Sequence, residues 1–172
     1  MKIIFLDVDG VLNNQDTFKH RYNHYQSTGE WVLEIDENMV NRLANIVNKT
    51  GAKIVLSSSW RMGFSYDTCE PLGEQARGLV DILAKYGLSI YSRTGNGKDR
   101  ADEINEWLHN HNDVEMFVIL DDDSYDLQEF VGKELVKTSF TATDEMVKDM
   151  SDCTGLQDEH VVSAIDILNK SR

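Results

Sequence analysis

Three short polar runs stand directly behind apolar ones. Asp7-Val8-Asp9-Gly10 follows Ile3–Leu6, Ser57-Ser58-Ser59 follows Ile54-Val55-Leu56, and Asp121-Asp122-Asp123 follows Ile119-Leu120. Two cations, Lys98 and Arg100, precede a helical pattern that leads into the last of these runs. Carboxylates beside buried segments are rare unless they are paired or hold a metal. Brought together, Asp7 and Asp121–Asp122 would repel unless a cation lay between them, and an all-oxygen ligand set suits Mg²⁺. A carboxylate can also attack phosphorus to give an aspartyl-phosphate. Asp9, two residues on, is placed to protonate a leaving oxygen and then to deprotonate water. The Ser57 hydroxyl and a cation at Lys98 or Arg100 could hold non-bridging phosphoryl oxygens as charge shifts.

This chemistry requires elements that bring four distant segments together. The spacing predicts strands at Lys2–Leu6, Lys53–Leu56, Leu88–Tyr91, Met116–Leu120 and Leu135–Lys137. Helical spacing marks Met39–Val47 with a stop at Gly51, Ala76–Leu83 ending near Gly87, Ile104–Leu108, and Val161–Leu168. Alternating strands and helices imply an α/β fold with a doubly wound, mainly parallel sheet flanked by helices. Such sheets bind ligands at the carboxyl ends of their strands. The polar runs fall at those ends.

Taken together, the runs resemble the motifs of the haloacid dehalogenase (HAD) superfamily of phosphatases. Asp7–Gly10 matches its DxDG, Ile54–Ser57 its apolar strand followed by Ser or Thr, and Ile119–Asp122 its strand followed by paired acids. Either Lys98 or Arg100 fills the basic motif. Arg100 has the family's spacing, four before the helix residue Ile104, whereas Lys98 has the more usual residue type. More narrowly, DVDGVLN, SSSWR, RADEINEWL, VILDDDS and the later VKT…GL stretch resemble the HAD domain of Swiss-army-knife RNA repair proteins. The resemblance implies a Rossmann-like core with a minimal cap and Mg²⁺-dependent phosphoryl transfer. It makes Asp7 nucleophile and metal ligand. Asp9 becomes the general acid and base and also offers the metal its carbonyl. Ser57 binds phosphate; Ser58 is a second phosphate-binding candidate, which could instead lend only a backbone amide or a helix cap. Asp122 sits on the metal, and Asp121 acts through water or as an alternate ligand.

Blander readings apply to several neighbours. DxDG alone could be a surface turn, and a calcium loop is excluded because Phe18 stands where a Glu would be needed. Asp123 is expected to face solvent or cap the next segment. Trp60 is expected in the core, with a substrate platform as the alternative, and Arg61 either touches phosphate or forms an ion pair. His20 and His24 have helical spacing but lack further clustered zinc ligands. His109 and His111 read as a solvated helix end.

Residues 14–35 are too few for a large cap and read as a small flap. Within it, Phe18-Lys19-His20-Arg21-Tyr22-Asn23-His24-Tyr25 is basic and aromatic, a composition that suits stacking on bases and contact with backbone phosphates. The alternative is a solvated flap whose aromatics pack on the core.

The 172 residues suit one domain spanning 1–172. With 41% apolar and 27% charged residues, the chain is not disordered, collagen-like or coiled-coil. A net charge of −13 argues against general affinity for nucleic acid or an anionic membrane, though not against a local basic patch. The two cysteines, Cys69 and Cys153, form no CxxC and read as free thiols of a cytoplasmic protein. The expected activity is phosphomonoester hydrolysis, on a small molecule, a nucleotide or a nucleic-acid end, with no membrane and no obligate protein partner. The rival expectations are a phosphotransferase or mutase, a phospho-acceptor signalling module and an idle phosphate-binding module.

Overall fold

The computed structural model describes residues 1–142 and 154–170. Five parallel strands form one sheet in the order β3-β2-β1-β4-β5: β1 Lys2–Leu6, β2 Lys53–Leu56, β3 Ile90–Arg93, β4 Met116–Asp121 and β5 Leu135–Lys137. From β1 the chain winds outward through β2 and β3, then crosses back to β4 on the other side. The topological switch therefore lies between β1 and β4. In doubly wound sheets, ligands bind at this point, outside the carboxyl ends of the strands.

Both sheet faces are covered, so the strands read as continuous apolar runs. Ile4 and Leu6 point into a core closed by α2 (Glu37–Thr50), α3 (Glu74–Lys85) and α5 (Asp158–Asn169). Ile3 and Phe5 point the other way, toward Ile104 and Trp107 of α4 (Arg100–His109) and toward Leu127 and Phe130. Trp107 meets Phe5 edge-on at 5.5 Å.

Two boundaries differ from the periodic pattern. β3 starts at Ile90 rather than Leu88, because Leu88 completes the C-terminal cap of α3. Its N–H bonds the Leu83 carbonyl at 3.1 Å while the Gly87 N–H bonds Ala84 at 3.0 Å. This is a Schellman motif, with Leu88 and Leu83 both buried. The second difference is α1 (Gln15–Thr28), which forms most of the flap and buries none of its residues. It has no apolar stripe to announce it. Its ends are set by an Asn14–Thr17 capping box and by Gly29 in the left-handed conformation.

Candidate active site

The sheet's own hydrogen bonds run past the strand ends and carry the polar residues with them. The Asp7 N–H bonds the Leu120 carbonyl at 2.9 Å, the Ser57 N–H bonds Leu6 at 3.0 Å, and the Thr138 N–H bonds Asp121 at 2.9 Å. Asp7, Ser57 and Asp121 are thus held as extensions of the sheet rather than as loop residues. Gly10 then turns the chain sharply at φ +75°, where a Cβ would come within 2.4 Å of the Asp122 Cγ. Only glycine satisfies both the left-handed backbone and that approach. The buried Thr138 hydroxyl clamps the turn by donating to the Gly10 carbonyl at 2.6 Å.

Carboxylate oxygens of Asp7, Asp121 and Asp122 lie within 4.8 Å of one another. Asp7 and Asp121 are buried and Asp122 is half-buried. Burial, reinforced by the Asp121 charge, pushes Asp7 up to about 7, although Arg100 and the Ser58 hydroxyl pull the other way. Burial and Asp121 likewise push Asp122 up to about 6. Asp121 is also raised by burial, against the opposing pull of Arg100 and of the Asp123 N–H that donates to it at 2.9 Å. Three carboxylates this close, all of them held toward the neutral form by burial, make a set that a divalent cation could neutralise.

Of the two candidate cations, Arg100 reaches the acids. Its Nη1 donates to Asp121 and lies 3.5 Å from Asp7. Burial disfavours its charge, but Asp121 and Asp7 outweigh that and hold the guanidinium above its ordinary value. Lys98 is exposed and has no side-chain ion pair or hydrogen bond among the described residues. The helix boundary separates the two: Asp99 caps α4, which places Arg100 in its first turn and Lys98 outside it.

The Ser57 hydroxyl is fully buried at the end of β2 and has no hydrogen-bond partner among the described residues. An orphaned buried hydroxyl beside a cationic and acidic cluster suits a phosphoryl oxygen. Ser58 caps the 3₁₀ turn, as one expectation had it, its Oγ accepting the Trp60 backbone N–H at 3.3 Å, and its hydroxyl also hydrogen-bonds Asp7.

Glu103, Asn13 and Thr138 were not singled out from the sequence, nor was the contact of Trp60 with Asp9. Arg61 forms an ion pair with the buried Glu103 at 2.5 Å, one of the two roles expected for it. The same guanidinium donates to the carbonyls of Ser57, Ser58 and Gly95, and Glu103 also accepts the Gly97 N–H. This pair ties the loop after β2 to the loop before α4. Trp60 is only partly buried, and its indole Nε1 donates to both oxygens of Asp9, at 3.2 and 3.1 Å. Asn13 donates to Asp9 at 2.9 Å, and Thr138 clamps Gly10. The indole N–H of a tryptophan packed on the core usually finds an acceptor, which was the one available hint for Trp60.

Asp123 is exposed and caps the next turn through the Tyr125 N–H. Exposed His109 fits a solvated helix end, but His111 stacks on Trp107 at 3.6 Å. In the flap, Arg21 pairs with the buried Glu34 at 2.6 Å and lies over the Trp31 ring, so its charge is engaged within the chain. Tyr25 stacks on Trp31 at 3.9 Å and Phe18 packs edge-on against Phe140. Of the expected nucleic-acid contacts, Tyr22 and Lys19 remain outward, Lys19 pairing with Asp16 on the surface. Cys69 is a free thiol, and Cys153 lies outside the described residues. Among the described residues no helix is long and apolar enough to cross a membrane.

A five-stranded parallel sheet flanked by helices, with an acidic cluster at its switch point, defines a Rossmann-like α/β fold. The family model for the HAD domain in Swiss Army Knife RNA repair proteins matches residues 3–145, and the chain belongs to that family. The match takes in all five strands, save Lys2 at the start of β1, and every residue of the cluster, while α5 lies beyond it. Searches of curated proteins and of solved structures gave no match.

Proposed function

We propose that this chain is a Mg²⁺-dependent phosphomonoester hydrolase that works through an aspartyl-phosphate on Asp7. The observation that carries the reading is the juxtaposition of Asp7, Asp121 and Asp122 with Arg100 between two of them. Asp7 and Asp122, with Asp121 and the Asp9 carbonyl, would hold the ion. Bound there, Mg²⁺ would neutralise the carboxylates and polarise a phosphoryl oxygen. Asp7 attacks phosphorus in its ionised form, and the ester P–O bond breaks as Asp9 gives its proton to the departing oxygen. The products are a free alcohol and aspartyl-phosphate. Water then attacks phosphorus while Asp9 takes its proton, releasing inorganic phosphate and restoring the Asp7 carboxylate. Arg100 and the orphaned Ser57 hydroxyl hold the non-bridging oxygens through both steps.

The substrate class we propose is a phosphate at the end of a nucleic acid. Two considerations support it: the RNA-repair context in the family's description, and a cap region amounting to one 14-residue helix. The test is hydrolysis of a panel of end-phosphorylated oligonucleotides, nucleotides and sugar phosphates by wild type, Asp7→Asn and Asp9→Asn. Acid-quenched Asp9→Asn should hold ³²P as acyl-phosphate. An active Asp7→Asn protein would overturn the mechanism, and a preference for sugar phosphates would overturn the substrate class.

A further inference from the structure

The Asp9 carboxylate is partly exposed and could rotate freely, yet it is held from two sides. The Trp60 indole, on the 3₁₀ turn after β2, reaches both of its oxygens, at 3.2 and 3.1 Å. Asn13, fully buried just before α1, donates Nδ2 to Oδ1 at 2.9 Å and accepts the Gly10 N–H at 2.9 Å. Neither donor belongs to the acidic cluster, and neither has reason to approach phosphate. An indole N–H can only donate, so it recognises the oxygens of Asp9 and nothing else on that group. Trp60 is itself fixed, its backbone N–H on the Ser58 hydroxyl and its ring packed on the core. The bracket therefore joins the acid that follows β1 to the loop that follows β2.

We infer that Trp60, with Asn13, is a positioning residue that aims Asp9 at the leaving-group oxygen. This inference rests on the proposed mechanism and deepens it. A general acid works only when its proton lies within hydrogen-bond reach of the oxygen it protonates. Trp60→Phe keeps the ring and the packing but removes the donor. The first chemical step should then lose proton transfer while Asp7, Arg100 and the metal-binding acids stay in place. A leaving group that needs no proton should be nearly indifferent. One that departs as a basic phenolate unless protonated should suffer.

The experiment is kcat/KM for a series of substituted phenyl phosphates, from p-nitrophenyl to unsubstituted phenyl, with wild type, Trp60→Phe, Asn13→Ser and Asp9→Asn. kcat/KM reports the steps through formation of the aspartyl-phosphate, so the common hydrolysis of that intermediate does not mask the effect. Trp60→Phe should lose about tenfold on phenyl phosphate and no more than about twofold on p-nitrophenyl phosphate, a part of the roughly 100-fold or greater loss expected without Asp9. The plot against leaving-group basicity should steepen toward that of Asp9→Asn. A purely structural Trp60 would lower every substrate by the same factor, and an unchanged slope overturns the inference. If Trp60→Phe does not fold, Asn13→Ser decides by the same slope. An unchanged slope beside an inactive Asp7→Asn removes only the bracket, whereas an active Asp7→Asn removes the mechanism beneath it.

Discussion

The strand ends around Asp7 and the flap helix α1 are neighbours in sequence and opposites in construction. At the strand ends Asp7, Ser57 and Asp121 are fixed by sheet hydrogen bonds and shielded from water. α1 buries none of its 14 residues and is tied down by separate contacts: Asn14 to Thr154, Phe18 to Phe140, Arg21 to Glu34 and Tyr25 to Trp31. One region is rigid because many elements determine it at once. The other is placed by its caps and a few side chains. Charge buried in the rigid region carries a stability penalty that a cation can relieve. Apart from the Arg21–Glu34 pair, charge in the flap is mostly solvated and contributes little either way.

The sharpest way to break this contrast is to neutralise the centre of the rigid region. Asp7→Asn should abolish turnover, by roughly a thousandfold or more, as expected for loss of a nucleophile. The same change should raise the Tm of the metal-free chain above pH 7, because it removes a charge that burial and Asp121 disfavour. Activity and stability moving in opposite directions would mark the residue as functional. A lowered Tm with retained activity would reverse the assignment.

Gly10→Ala should come next. The new Cβ would fall 2.4 Å from the Asp122 Cγ at a φ of +75°. The strain in the turn alone should cost on the order of 1–3 kcal/mol, and the displaced Asp122 should weaken Mg²⁺ binding. Chemical denaturation with and without Mg²⁺ measures both. Equal stability of mutant and wild type would show that the turn can relax and that Asp122 is not held as described.

The acidic cluster also predicts a pH dependence. Asp7 at about 7 and Asp122 at about 6 lie above their ordinary 3.8, so the folded chain binds these protons more tightly than the unfolded one. Their contribution is fully present below 3.8 and is lost as pH rises through about 7. The chelated protein should therefore lose several degrees of Tm over that interval. Mg²⁺ at about 100 times its Kd should return about 2.7 kcal/mol. A Tm that is flat with pH and blind to Mg²⁺ would leave the cluster without its cation.

Much of this was readable before any coordinates, and the division follows the same contrast. Asp7, Ser57 and Asp121 were legible because each ends a buried apolar strand, and the parallel α/β pattern brings strand ends together. The Trp60–Asp9 and Arg61–Glu103 contacts were not, because they depend on a 3₁₀ turn capped by Ser58 and on partners 51 and 42 residues away. The Arg100 and Lys98 alternatives could be separated only by the N-cap at Asp99. α1 escaped notice because its signals are caps rather than periodicity. The basic stretch inside it suggested phosphate contacts, but composition could not reveal that Glu34, thirteen residues on, would take up Arg21.

That pair offers the gentlest test. Glu34 is 7% exposed at its side chain and Arg21 30%, so removing Arg21 leaves a buried carboxylate without its partner. Arg21→Ala should cost about 1–2 kcal/mol, less than a fully buried pair because Arg21 stays partly solvated. Adding Glu34→Gln should recover most of it, since a neutral amide tolerates burial better than a lone charge. Hydrolysis of a small aryl phosphate should stay within about twofold in both variants, because the pair's tie to Glu34 lies outside the acidic cluster. Lys19→Ala, which removes an exposed cation, should leave stability unchanged. If Lys19 meets a single strand, the salt slope of oligonucleotide kcat/KM should fall by about 0.7. An Arg21→Ala chain that matches wild type in stability yet loses oligonucleotide turnover would reverse the flap's assignment. Arg21 would then contact substrate phosphate, and Glu34 would be only its resting partner.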